Sequence, residues 1–70
     1  MSTLEEYRRQ CGWSLTKLAR EAEVDINTVR NALAGRSISA TTAGKLADAI
    51  SEKLGRRIPA DSIEELNVNW

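Results

Sequence analysis

Seventy residues, 41% hydrophobic and 29% charged, give one small core and exclude a disordered chain. With no apolar run of about 18 residues, and no charged start leading into an apolar stretch, neither a membrane span nor a signal peptide is expected. Ten basic side chains balance ten acidic ones, which argues against a uniformly basic coat for nucleic acid and turns attention to how the charge is distributed.

The first helical pattern begins near Leu4, with Leu4, Tyr7 and Cys11 on one apolar face. Ser2 or Thr3 can cap it, Glu5 and Glu6 sit in the first turn where the helix dipole favours acids, and Gly12 stops it. Cys11, the only cysteine, cannot form an intrachain disulfide and fits a reducing cytosol; on this face it reads as a small buried hydrophobe. Trp13 lies in the connection. Ser14 then caps a second helix from Leu15 to about Ala22, with Leu15, Leu18, Ala19 and Ala22 inward and Lys17, Arg20 and Glu21 outward. Glu23-Val24 is a very short break, so the flanking helices must turn sharply. Asp25 caps a third helix from Ile26 to about Leu33. Val29, Ala32 and Leu33 fall on its inner face, Asn27, Arg30 and Asn31 on its outer face, and Ile26 at its leading end.

Gly35 ends the third helix, and Arg36 to Ser39 form a loop. Ser39 or Thr41 opens a fourth helix carrying Leu46, Ala47, Ile50 and Leu54, which Gly55 ends. Gly44 inside it is about 1 kcal/mol worse than alanine, and close packing against a neighbour is the expected reason for it. Asp61-Ser62-Ile63-Glu64 reads as a capping box for a short fifth helix. The tail Asn67-Val68-Asn69-Trp70 alternates with the strand period, which leaves open a strand, a helix extension or disorder. Leu4, Tyr7, Trp13, Leu18, Val24, Val29, Leu46 and Ile50 are the expected core.

Charge is polarised along this plan. No acid occurs from Ile26 to Lys45, whereas Asp48, Glu52, Asp61, Glu64 and Glu65 follow. Two short helices with a tight turn between them, the second polar on its outer face, make a helix-turn-helix. A helix fits the major groove of B-DNA, where each base pair shows its own donor and acceptor pattern. In this arrangement the first helix crosses the backbone and the second reads the bases.

The stretch from Ser14 to Gly35 resembles the helix-turn-helix of the Cro and phage-repressor family, also called the xenobiotic-response-element family. Leu18-Ala19, Val24-Asp25, Thr28-Val29 and Gly35 stand where that family's pattern has them. Arg8 matches the family's arginine on the first helix, Trp13-Ser14 its apolar-then-cap entry, and Thr41 to Ile50 its fourth helix. The resemblance implies an all-α, lambda-repressor-like five-helix domain spanning residues 1–70, with the helix-turn-helix made by helices two and three. Two positions depart from it. Glu23 replaces the usual glycine of the turn, which puts it in a strained backbone region. Leu33 replaces the glutamate that commonly pairs with the arginine matched by Arg8, so Arg8 is free for a DNA phosphate or takes another acid such as Glu5.

By position in the family, Ile26, Asn27 and Asn31 face bases. Asparagine suits adenine, and Ile26 a thymine methyl. Arg30 reaches a guanine edge or a phosphate. Arg8, Lys17, Arg36, Ser37 and the N–H groups near Ser14 suit phosphates. Ile63, Leu66, Val68 and Trp70 cap the core or make a two-fold contact, with residues 58–70 as a dimerisation element. The implied protein is a cytoplasmic, bacterial or phage-type regulator, most readily a repressor. It binds double-stranded DNA as a homodimer and acts by occlusion, dimerisation or a protein partner. Half-sites would lie about 34 Å apart.

A rival is an antitoxin or other protein-interaction module on the same fold, which the zero net charge favours. An enzyme has little support. There is no histidine, no nucleophile pair, and no glycine-rich phosphate loop. No catalytic residue, metal ligand or cofactor is expected.

Overall fold

The computed structural model describes residues 2–70. It contains four α-helices: α1 (Leu4–Cys11), α2 (Leu15–Ala22), α3 (Ile26–Leu33) and α4 (Ala40–Leu54). Two-residue strands β1 (Ile38–Ser39) and β2 (Val68–Asn69) and a 3-10 turn over Ala60–Ser62 complete the chain. The domain is the all-α, lambda-repressor-like arrangement, with α2 and α3 as its helix-turn-helix.

Each helix starts on a polar cap. Thr3 and Glu6 form a reciprocal capping box on α1, Ser14 caps α2, Asp25 caps α3, and Ser39, rather than Thr41, caps α4. Every helix also ends in the same way. A residue just past the helical run (the second one at α3) folds back, and the next N–H bonds to a carbonyl five residues earlier: Trp13 to Arg8, Val24 to Ala19, Arg36 to Asn31 and Arg56 to Ser51. This six-to-one closure requires a left-handed residue. Gly12, Gly35 and Gly55 supply it at three ends and Glu23 at the fourth.

α4 packs against both α1 and α2. Leu18, Val29, Leu46 and Ile50 are fully buried at the centre. Ala43, Ala47 and Ala49 let neighbours approach α4 closely, and Cys11 is buried as a small hydrophobe. Trp13 and Val24 are only partly buried at the core's edge. Ile38, Ile58 and Ile63 join the core from the loops. Gly44 does not serve close packing, because a Cβ there would meet nothing within 4 Å.

The expected fifth helix is absent. Asp61 forms no capping box with Glu64: it lies inside the 3-10 turn Ala60–Ser62, and the Ser62 hydroxyl donates to the Pro59 carbonyl at 2.7 Å. Ile63 is extended (φ −81, ψ 116) and reaches the core. Glu64 N–H donates to the Ser2 carbonyl at 3.0 Å. A short helix is weak by itself, and these longer-range bonds outweigh it. The tail does form a strand: β2 pairs in parallel with β1, Ile38 opposite Val68 and Ser39 opposite Asn69. No helix is long and apolar enough to cross a membrane.

Candidate nucleic-acid interface

The turn between α2 and α3 sets the site's geometry. Glu23 takes φ 59 and ψ 42, a conformation that costs a non-glycine residue about 1–2 kcal/mol. In return the turn closes fully. Glu23 N–H donates to the Arg20 carbonyl at 3.2 Å and Val24 N–H to the Ala19 carbonyl at 2.9 Å. The chain leaves this closure with Asp25 placed to accept from Asn27 N–H at 2.7 Å, starting α3 at a sharp angle to α2.

α3 buries one side and presents the other. Val29 and Ala32 sit in the core, while Asn27 and Arg30 are exposed and Asn31 is half-buried. Ile26 at the leading end is half-buried and packs partly on the core. The ion pairs among the described residues involve Arg8, Arg9 and Lys17, so Arg30 and Arg36 face solvent without a carboxylate partner. Arg36 instead donates from Nη1 to Asn31 Oδ1 at 3.1 Å. Ser37 is exposed in the loop beyond it.

At the start of α2 the Ser14 hydroxyl accepts from Lys17 N–H at 3.1 Å. The N–H groups of Leu15 and Thr16 then remain as first-turn donors that no intrahelical carbonyl reaches. Lys17 pairs with Glu21, Nζ to Oε2 at 3.1 Å. Both side chains are about half exposed, so this pair is weak and readily exchanged for another anion.

Arg8 takes the second of its two expected courses. One guanidinium nitrogen holds Glu5, and the other donates to the Trp13 carbonyl at 2.6 Å. The hydrogen bond from Arg8 holds the Glu5 carboxyl below its ordinary range, while Arg8 itself is pushed up by the same bond. Its buried Nε has no partner among the described residues. In this arrangement Arg8 locks the end of α1 to the turn that leads into Ser14, and a phosphate would have to compete with Glu5 for it.

The four residues expected at a two-fold contact divide. Ile63 is 4% exposed and belongs to the core, so it cannot meet a second copy at the surface. Leu66 and Val68 are part-exposed and pack on the core's edge. Trp70 is 75% exposed, beside a groove lined by Gly44, Asp48, Ser51, Arg57 and Pro59. That groove shares no residue with the α3 face.

One positioning residue was missed. Asn67 accepts at its carbonyl from Ile38 N–H at 2.9 Å, and its side-chain amide donates to the Gly35 carbonyl at 3.4 Å. It ties the loop carrying Arg36 and Ser37 to the tail. The alternation from Asn67 to Trp70 marked a strand in the sequence, but nothing local marked its partner. Among the described residues no group of three or more Cys, Asp or Glu is placed to hold a metal.

Residues 4–57 match the model of a helix-turn-helix family. No curated protein and no solved structure matches the chain.

Proposed function

The chain belongs to the Cro and phage-repressor type of the helix-turn-helix family, and from that premise we propose that it is a sequence-specific transcriptional repressor whose α3 reads the major groove. The family membership carries double-stranded DNA binding in general. The specific reading rests on one observation above all: α3 seals Val29 and Ala32 into the core and leaves Asn27 and Arg30 on its open face. Hydrogen-bonding side chains on a helix of this width are what base edges in the major groove require.

The division of labour follows from placement. Asn27 and Asn31 contact bases, Ile26 meets a thymine methyl, and Arg30 reaches a guanine edge or the adjoining phosphate. The Leu15 and Thr16 N–H groups, beside Ser14, meet a phosphate at the positive end of α2. Lys17 exchanges Glu21 for phosphate, and Ser37 with the exposed loop holds the strand beyond. One short helix contacts few bases, so the protein acts as a homodimer on a near-palindromic cytoplasmic target. Trp70, with part of Leu66 and Val68, is the surface for the second copy.

Selection from a random double-stranded DNA library, with binding followed against salt, tests this reading. The expected result is an enriched two-fold motif and an affinity that falls steeply with salt as counterions are released. Absence of binding at low salt would overturn it in favour of a protein-interaction module such as an antitoxin.

A further inference from the structure

The end of α3 makes a pair that sequence spacing does not suggest. Gly35 stands at φ 79. Its N–H donates to the Ala32 carbonyl at 3.2 Å, and Arg36 N–H donates to the Asn31 carbonyl at 2.9 Å. This closure brings the residue after the glycine back beside the last helical turn. An apolar contact commonly accompanies such an end. Here the contact is polar: Arg36 Nη1 donates to Asn31 Oδ1 at 3.1 Å. Residues five apart are thus joined through both backbone and side chain.

Chemistry fixes which way the amide faces. A guanidinium has five N–H donors and no acceptor, so only the oxygen of Asn31 can meet it. Asn31 Nδ2 has no protein partner and is not among the buried unpaired atoms, so it is open to solvent. A lone asparagine reads adenine with one acceptor and one donor. Asn31 has one of its two acceptor lone pairs engaged by Arg36. The pair is therefore weighted toward donors: Nδ2 and the remaining guanidinium N–H groups stand beside an amide oxygen with one lone pair left. Among the bases, guanine is the one whose major-groove edge offers two acceptors, N7 and O6.

We propose that Asn31 and Arg36 act as a single donor unit that selects guanine, with Arg36 a specificity-determining residue and Gly35 the hinge that places it. This rests on the reading of α3 as the groove-reading helix. It departs from an Asn31 that reads adenine and an Arg36 that only grips phosphate.

The test compares wild type, Asn31→Ala, Arg36→Ala and the double variant on the selected duplex and on copies with each base pair replaced in turn. Circular dichroism confirms that each variant is folded. Asn31→Ala identifies the base pair facing the unit by relaxing preference there. The expected result is guanine at that base pair in wild type, favoured about tenfold, and a shift toward adenine in Arg36→Ala as the amide oxygen is released. The two single losses should not add in the double variant. Adenine in wild type would overturn the proposal. So would an Arg36→Ala protein that weakens all sequences alike and lowers the salt slope by about one, the behaviour of a phosphate contact. Failure of wild type to bind any duplex would overturn the DNA-reading function itself, and the guanine unit with it.

Discussion

From Ser14 to Gly35 the chain is held mainly by bonds to its own neighbours; from Gly55 to Trp70 it depends also on bonds to residues distant in sequence. The first stretch carries two side-chain caps and two six-to-one closures, each complete within a few residues. The second is tied to α4 through Ser51, to the start of α1 through Ser2, and to the loop after α3 through Ile38. Local closure makes the helix-turn-helix a unit with a fixed internal angle. Distant closure makes the tail a strap whose order depends on everything beneath it.

The most direct way to erase this contrast is to remove the core both regions share. Leu18 is fully buried, so Leu18→Ala should lower the unfolding free energy by about 2–5 kcal/mol. That is a large part of the roughly 5–15 kcal/mol typical of domains. Urea denaturation should show one transition, with both regions lost together.

Ser51→Ala should sharpen the contrast. The Ser51 hydroxyl accepts from Ile58 N–H at 2.8 Å and donates to the Ala47 carbonyl at 2.7 Å. Leaving the Ile58 donor unsatisfied should cost about 1–3 kcal/mol. Hydrogen exchange should accelerate at Ile58 and Glu64 well before it does at Val24 or Val29.

Gly44→Ala should leave the contrast untouched while raising stability by about 1 kcal/mol, because the added methyl enters open space. A loss of stability in thermal melts would contradict that.

The smallest effect belongs to pH. The Arg8 hydrogen bond holds the folded Glu5 carboxyl below its ordinary 4.5. Its contribution is therefore present above that value and fades as pH falls from there toward the folded pKa. Glu5→Gln should flatten the acid limb of stability against pH, slightly, since the pair is partly exposed.

The difference between the two regions also explains how much could be read in advance. Four helices, their caps at Ser14 and Asp25 and their stops at Gly12, Gly35 and Gly55 are written in adjacent residues. So was the strain at Glu23, which the structure places at φ 59. The capping box from Asp61 to Glu64 does not form, because Ile63 is drawn into the core and Glu64 to Ser2. On the α3 face the outward positions of Asn27 and Arg30 followed from helical period. The link between Asn31 and Arg36 did not, because it depends on the backbone reversing at Gly35. Arg8 could be matched to a pattern, yet only coordinates could show whether it met Glu5 or stayed free.

The parallel pair Ile38 with Val68 joins residues thirty positions apart. In chain order, α2 and α3 are complete well before the strand that anchors the loop beyond them. Long-range pairing of this kind is slow compared with helix closure. The folding chain thus forms α3 while the loop after it is still free, and that loop takes its final place only when Val68 pairs with Ile38.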